Sequence, residues 1–118
     1  MKQVRPLSIT GGTIVTPGGL RDAALRCADG AIVEGDAQDG DDLIDAKGKL
    51  VVPGIVDLGV FAIDKPAFHF GGITRAALMP DISPPLDYPA RVRFMAQSGK
   101  PDLWVHPLAA ATQGLAGD

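Results

Sequence analysis

The sequence predicts a mixed α/β protein in two parts: a small all-β unit over residues 1–52 and a strand–helix–strand segment over residues 53–118. Three observations carry this reading. Short apolar runs separated by Gly-rich turn signals fill the first part. From Val51 to Phe61 the chain reads Val-Val-Pro-Gly-Ile-Val-Asp-Leu-Gly-Val-Phe, the near-continuous apolar run of a strand in a fully buried parallel sheet. Two more apolar runs, Ile73 to Met79 and Leu103-Trp104-Val105, flank a stretch with helical spacing.

Within the first part, Leu7-Ser8-Ile9 and Thr13-Ile14-Val15 are short strands separated by the turn signal Thr10-Gly11-Gly12. Pro17-Gly18-Gly19 marks another turn, after which Asp22 to Arg26 reads as a strand. Asp29-Gly30 suits a two-residue hairpin turn into Ala31-Ile32-Val33, because such turns need positive φ at both central residues. Gly35 to Asp42, rich in Gly and Asp, is expected to be an exposed loop. Leu43-Ile44-Asp45 and Leu50-Val51-Val52 then flank Ala46-Lys47-Gly48-Lys49. No Gly cluster leads from a strand into a helix, so the glycines are turn chemistry and not a dinucleotide fingerprint.

After Phe61, Ile63-Asp64-Lys65-Pro66 is a polar, helix-hostile connection, followed by Gly71-Gly72. Only the nine residues Ala62 to Phe70 separate Phe61 from Gly71. A parallel crossover usually takes about a dozen residues or more, so any helix here is expected to be cut to a turn or lost. Pro84-Pro85-Leu86-Asp87 introduces the second helix, with Asp87 read as its N-cap and Pro89 in its first turn. Val92, Met95 and Ala96 form its apolar face, and Ser98-Gly99 stops it.

Composition excludes several classes. The chain has 118 residues, 46% hydrophobic and 21% charged, as a globular domain does. No apolar run approaches the ~20 residues of a membrane helix, and Met-Lys-Gln-Val-Arg-Pro lacks a signal-peptide core, so the expected compartment is the cytoplasm. Cys27 is the single cysteine, which rules out an internal disulfide and a thiolate metal cluster. A net charge of -3 with eleven scattered basic residues gives nucleic-acid binding no support. No Gly-x-Ser-x-Gly motif backs a Ser-His-Asp arrangement.

Pro53-Gly54-Ile55-Val56-Asp57-x-Gly59-x-Phe61 closely resembles the first barrel strand of the cyclic amidohydrolases, the dihydroorotase group above all. There the pattern is Pro-Gly-(apolar)-(apolar)-Asp-x-His-x-His, and the two histidines hold a catalytic metal. Ile9 to Val15 is similar to the opening strand pair of that family, and Ile44-Asp45-Ala46-Lys47-Gly48 to the segment leading into its barrel. Met79-Pro80-Asp81 resembles the family's Met-Pro-Asn, Pro84-Pro85-Leu86-Asp87 its Pro-Pro-Leu-Asp, and Ala109 to Gly114 the loop after its third strand. The resemblance implies a β-sandwich-like amino-terminal unit, completed in the family by strands from the carboxyl end of a longer chain. An incomplete (β/α) barrel segment of about three strands would follow.

The resemblance also bears on the chemistry. The family's histidine places are Gly59 and Phe61, which offer no ligand atom, so no catalytic residue and no zinc are expected. His69 and His106, the only histidines, are too few and too far apart in sequence for a site wanting three or more ligands. Asp57 is expected to be a hydrogen-bonded structural carboxylate. Asp81 occupies the place of a substrate-binding Asn, where a carboxylate would repel an anionic ring; as a turn or helix cap it would have a structural role instead. Arg75, inside an apolar run, is expected to pair with Asp57 or Asp81, or to reach an anionic ligand. Asp81 and Arg75 are thus the candidate substrate-binding residues.

The resemblance implies a link to pyrimidine biosynthesis. Some members of the group lack the His-x-His pair and serve as non-catalytic partners of aspartate carbamoyltransferase, which fits Gly59 and Phe61. Two other readings stand beside this one: an active zinc-dependent cyclic amidohydrolase as part of a longer chain, and a binding or structural module outside the pathway. A whole barrel takes about 250 residues, and Gly114 to Asp118 reads as the approach to another helix, so a fragment of a longer product is expected. Unpaired strand edges and apolar faces point to a homo-oligomer or a partner subunit.

Overall fold

A computed structural model describes residues 5–33 and 35–117. The first residues of the start inspected for a signal peptide (1–4), and Asp118 at the other end, lie outside the described residues. By contact the chain divides into two compact units, Met1–Pro53 and Gly54–Asp118.

In the first unit, β1 (Leu7–Thr10), β4 (Leu25–Ala28), β5 (Ala31–Val33) and β6 (Asp42–Asp45) form one sheet in the order β5-β4-β1-β6. A second sheet, in the order β3-β2-β7, holds β2 (Thr13–Thr16), β3 (Gly19–Asp22) and β7 (Leu50–Val51). The strand expected over Asp22 to Arg26 is therefore two strands in different sheets, parted at Ala23-Ala24. The hairpin between β4 and β5 turns on Asp29 and Gly30 with φ of 53° and 77°, the geometry that two-residue hairpins favour. Residues of both sheets line an apolar cleft of about 740 Å³, among them Ile9, Ile14, Leu25, Ile32 and Val51.

The loop expected to be exposed from Gly35 to Asp42 has an anchor. Asp41 has a side chain only 2% exposed. Its carboxylate accepts from Arg26 Nε (2.8 Å) and Nη2 (2.9 Å), from Ser8 Oγ (2.7 Å) and from the Gln38 amide (3.0 Å). The Arg26 hydrogen bond, then that of Ser8, holds the Asp41 carboxyl far below the usual carboxylate range. A group depressed in the fold adds stability that is present above its unfolded value, near pH 4, and is lost as the pH falls below it. We therefore expect Asp41→Asn to lower the melting temperature at pH 7 and to flatten its fall below about pH 4. Melts of both proteins between neutral and acid pH check this, and parallel profiles would contradict it.

The second unit is built on three parallel strands, β8 (Ile55–Val60), β9 (Ile73–Leu78) and β10 (Trp104–Pro107), in the order β10-β9-β8. Between β8 and β9 runs α1 (Lys65–Phe70), fewer than two turns long, as the short connection requires. The segment read as helix-hostile starts this helix: the Asp64 carboxylate accepts from the Ala67 amide at 3.2 Å, and a proline is tolerated in a first turn. The second helix, α2 (Pro89–Gln97), is capped by Tyr88 and not by Asp87. Asp87 instead accepts from Arg91 Nη1 at 3.1 Å and from the Gly114 amide at 2.8 Å, tying α2 to the carboxyl-end loop. Beyond the C-cap Ser98 comes Gly99, where a Cβ would run into the Leu103 carbonyl. The stretch read from the sequence as the approach to another helix holds a short 3-10 turn, Gln113–Leu115.

Helices cover one face of this sheet. Val60, Ala76, Leu78, Leu86, Leu103 and Val105 make its core, against which Phe68 of α1 and Val92 and Met95 of α2 pack. The other face is open, which corrects the expectation of a fully buried sheet. Val56 is 53% exposed, Leu58 78% and Trp104 50%. An apolar run shows that a strand can be buried on both faces, but only a covering layer buries it. No helix among the described residues is long and apolar enough to cross a membrane.

Candidate functional site

The carboxyl end of β8 is where the sequence directs attention. Asp57 pairs in register with Ala76 and Val60 with Leu78, three steps on β8 against two on β9. The extra residue makes a bulge at Leu58-Gly59, a device that re-aims side chains at the ends of strands. Asp57 spends one carboxylate oxygen on this bulge, accepting from the Gly59 amide at 3.0 Å. It is the structural carboxylate the sequence suggested.

Gly59 presents no side chain, and a Cβ there would meet nothing within 4 Å. Phe61, 59% exposed, presents a hydrocarbon ring. A metal needs nitrogen, oxygen or sulfur donors converging from several directions. Among the described residues no three His, Cys, Asp or Glu side chains are grouped to hold one. His69 is exposed in the last turn of α1, and His106 is exposed on β10. The residues at this strand end therefore do not fit the zinc that the family resemblance implies.

The candidate substrate-binding residues are not brought together as a pair. Asp81 is exposed in the turn beyond β9. Among the described residues Arg75 makes no ion pair with Asp57 or Asp81. It lies on the open face of β9, in register with Trp104 of β10. Its guanidinium carbon is 5.3 Å from the centre of the Trp104 ring, and its Nη1 is 3.4 Å from His106 Nε2. A guanidinium can only donate, so the imidazole nitrogen accepts. The Lys100 ammonium lies over the same indole ring. Burial, and after it the neighbouring Arg75 charge, hold Lys100 below its ordinary range.

Lys100 and Trp104 were not among the residues singled out from the sequence. The signal that could have found Trp104 is strand period: in parallel neighbours, Arg75, Trp104 and His106 fall on one face, opposite Ala76, Leu78 and Val105.

No protein-family profile matches the chain. It is 34% identical over 131 residues to a dihydroorotase of Pelotomaculum thermopropionicum, an alignment covering 95% of this chain and 30% of that protein. It is 32% identical over 133 residues to a dihydroorotase of Citrifermentans bemidjiense, covering 95% and 31%. Among solved structures, the L-hydantoinase (dihydropyrimidinase) from Arthrobacter aurescens matches with a TM-score of 0.70 over 95% of this chain and 29% of that one. At 23% identity this last likeness concerns the fold. The chain thus spans about 30% of the length of the curated relatives it matches. From the quoted motifs and these relatives, the chain is a homologue of the amino-terminal portion of dihydroorotases, with a fold matched in the hydantoinase.

Proposed function

We propose that this chain is a dihydroorotase-like protein tied to pyrimidine biosynthesis that does not itself catalyse hydrolysis of the cyclic amide. The observation that carries the proposal is the end of β8, where Gly59 and Phe61 stand at the family's two metal-binding histidines. Without ligands there is no Lewis acid to lower the pKa of an attacking water. On this reading residues 53–118, with three parallel strands and two helices on one face, are an incomplete (β/α) barrel segment. Residues 1–52 are then a sandwich-like unit whose cleft awaits further strands. A non-catalytic role is best served by association, either as a homo-oligomer or with a subunit of the aspartate carbamoyltransferase type.

The open space at Gly59 makes a direct experiment practicable, because a Cβ there meets nothing within 4 Å. Both the natural chain and the Gly59→His/Phe61→His double variant are expected to show no turnover of dihydroorotate above the uncatalysed background, with zinc supplied. Two imidazoles fall short of the three protein ligands that catalytic zinc sites use. Measurable turnover by the natural chain would overturn the proposal. Turnover by the double variant alone would show that the remaining ligands and base are present after all.

A further inference from the structure

We infer that Arg75, Lys100 and His106, gathered around the indole of Trp104 on the open face of the β8–β10 sheet, form a binding site for a small oxyanion of the carboxylate or phosphate class. This site is independent of the proposed lack of catalysis, since it lies apart from the bulge at Gly59 and uses none of its groups.

Geometry brings the three basic side chains together. Strand pairing sets Arg75 against Trp104 and Ala77 against His106, so residues from neighbouring strands stand side by side. The indole takes the Arg75 guanidinium, 5.3 Å from its centre, and the Lys100 ammonium. Cations held over an aromatic ring lose some of the freedom that a free surface lysine or arginine has, which prepares them to receive a ligand. Only one guanidinium contact is used internally, the 3.4 Å approach to His106 Nε2. The guanidinium's five N–H donors form a planar fork that matches the paired oxygens of a carboxylate or phosphate.

Charge points the same way. Among the described residues none of these three basic groups has a carboxylate partner. Asp57 lies in register with Ala76, on the opposite face of the sheet, and Asp102 pairs with Lys65 at 3.9 Å. In a chain of net charge -3, Arg75 and Lys100 bring two positive charges together with no ion-pair partner among the described residues. Burial first, and the Arg75 charge after it, hold the Lys100 ammonium below its ordinary range, and a bound anion would offset the second of these. The scale of the site, one ring and three heads, suits a small anion and not a nucleic-acid backbone.

Trp104 is the only tryptophan, so its emission reports this site alone. The test is to titrate the chain with inorganic phosphate and, separately, with acetate, holding ionic strength constant with sodium chloride. A saturable change in emission is expected, with half-saturation on the order of 1 mM. The anion that saturates first assigns the class, and equal responses assign oxyanions in general. Arg75→Gln and Lys100→Gln are each expected to weaken binding about tenfold, the loss of one charge-assisted hydrogen bond. Arg21→Gln, an exposed basic position in the other unit, should leave binding unchanged. If Arg75→Gln fails to fold, Arg75→Lys, which keeps the charge but not the fork, takes its place with the same expected direction. No saturable response to either anion, or an undiminished one in the Arg75 and Lys100 variants, would overturn the assignment.

Discussion

Leu78→Ala is expected to cost about 2–5 kcal/mol of stability, the range for removing a buried leucine and leaving its cavity. Leu78 is fully buried at the carboxyl end of the central strand β9 and belongs to a core of six buried residues among those described. So small a core has little with which to close around a void. The loss is a large part of the 5–15 kcal/mol that holds a typical domain together. Because the single tryptophan lies on β10 of the same unit, denaturant unfolding followed by its emission reads the effect directly. A loss under about 1 kcal/mol would mean that the helices do not pack on β9 as described.

The chain is also expected to associate. Its strands leave large apolar side chains in water. In the first unit Ile32 is 72% exposed and Leu20 68%; in the second, Leu58 is 78% exposed and Val56 53%. Apolar area costs about 25 cal/mol per Å² when left in water, and open sheet edges offer unpaired backbone groups to a second chain. Light scattering at micromolar concentration is expected to give at least about twice the 12.2 kDa monomer mass. A well-folded, strictly monomeric species would sink this expectation and the oligomeric part of the proposed function with it.

What could be read from the sequence was local chemistry. Asp29-Gly30 announces its hairpin because few other residue pairs take positive φ twice in succession. Val92 and Met95 announce the packed face of α2 by helical spacing, and both reach the core. The replacement of ligand-bearing side chains by Gly59 and Phe61 is visible without any coordinates. Three things depended on residues far apart in the chain. Asp41 looked like loop until Arg26 and Ser8 were seen to converge on it. The run from Val51 to Phe61 looked like one buried strand, but Pro53-Gly54 divides it between β7 and β8, in different sheets. Arg75 looked like half of an ion pair, yet its neighbours are Trp104 and His106, brought to it by a strand some thirty residues later.

The proposed function requires that the end of β8 cannot hold a catalytic metal. The most direct test is elemental analysis of the chain purified from zinc-supplemented cells and dialysed without chelator. Three to four protein ligands are what a tightly held zinc requires, and this strand end supplies none at positions 59 and 61. The expected result is zinc far below one equivalent per chain. About one zinc or more per chain, retained through dialysis, would contradict the account.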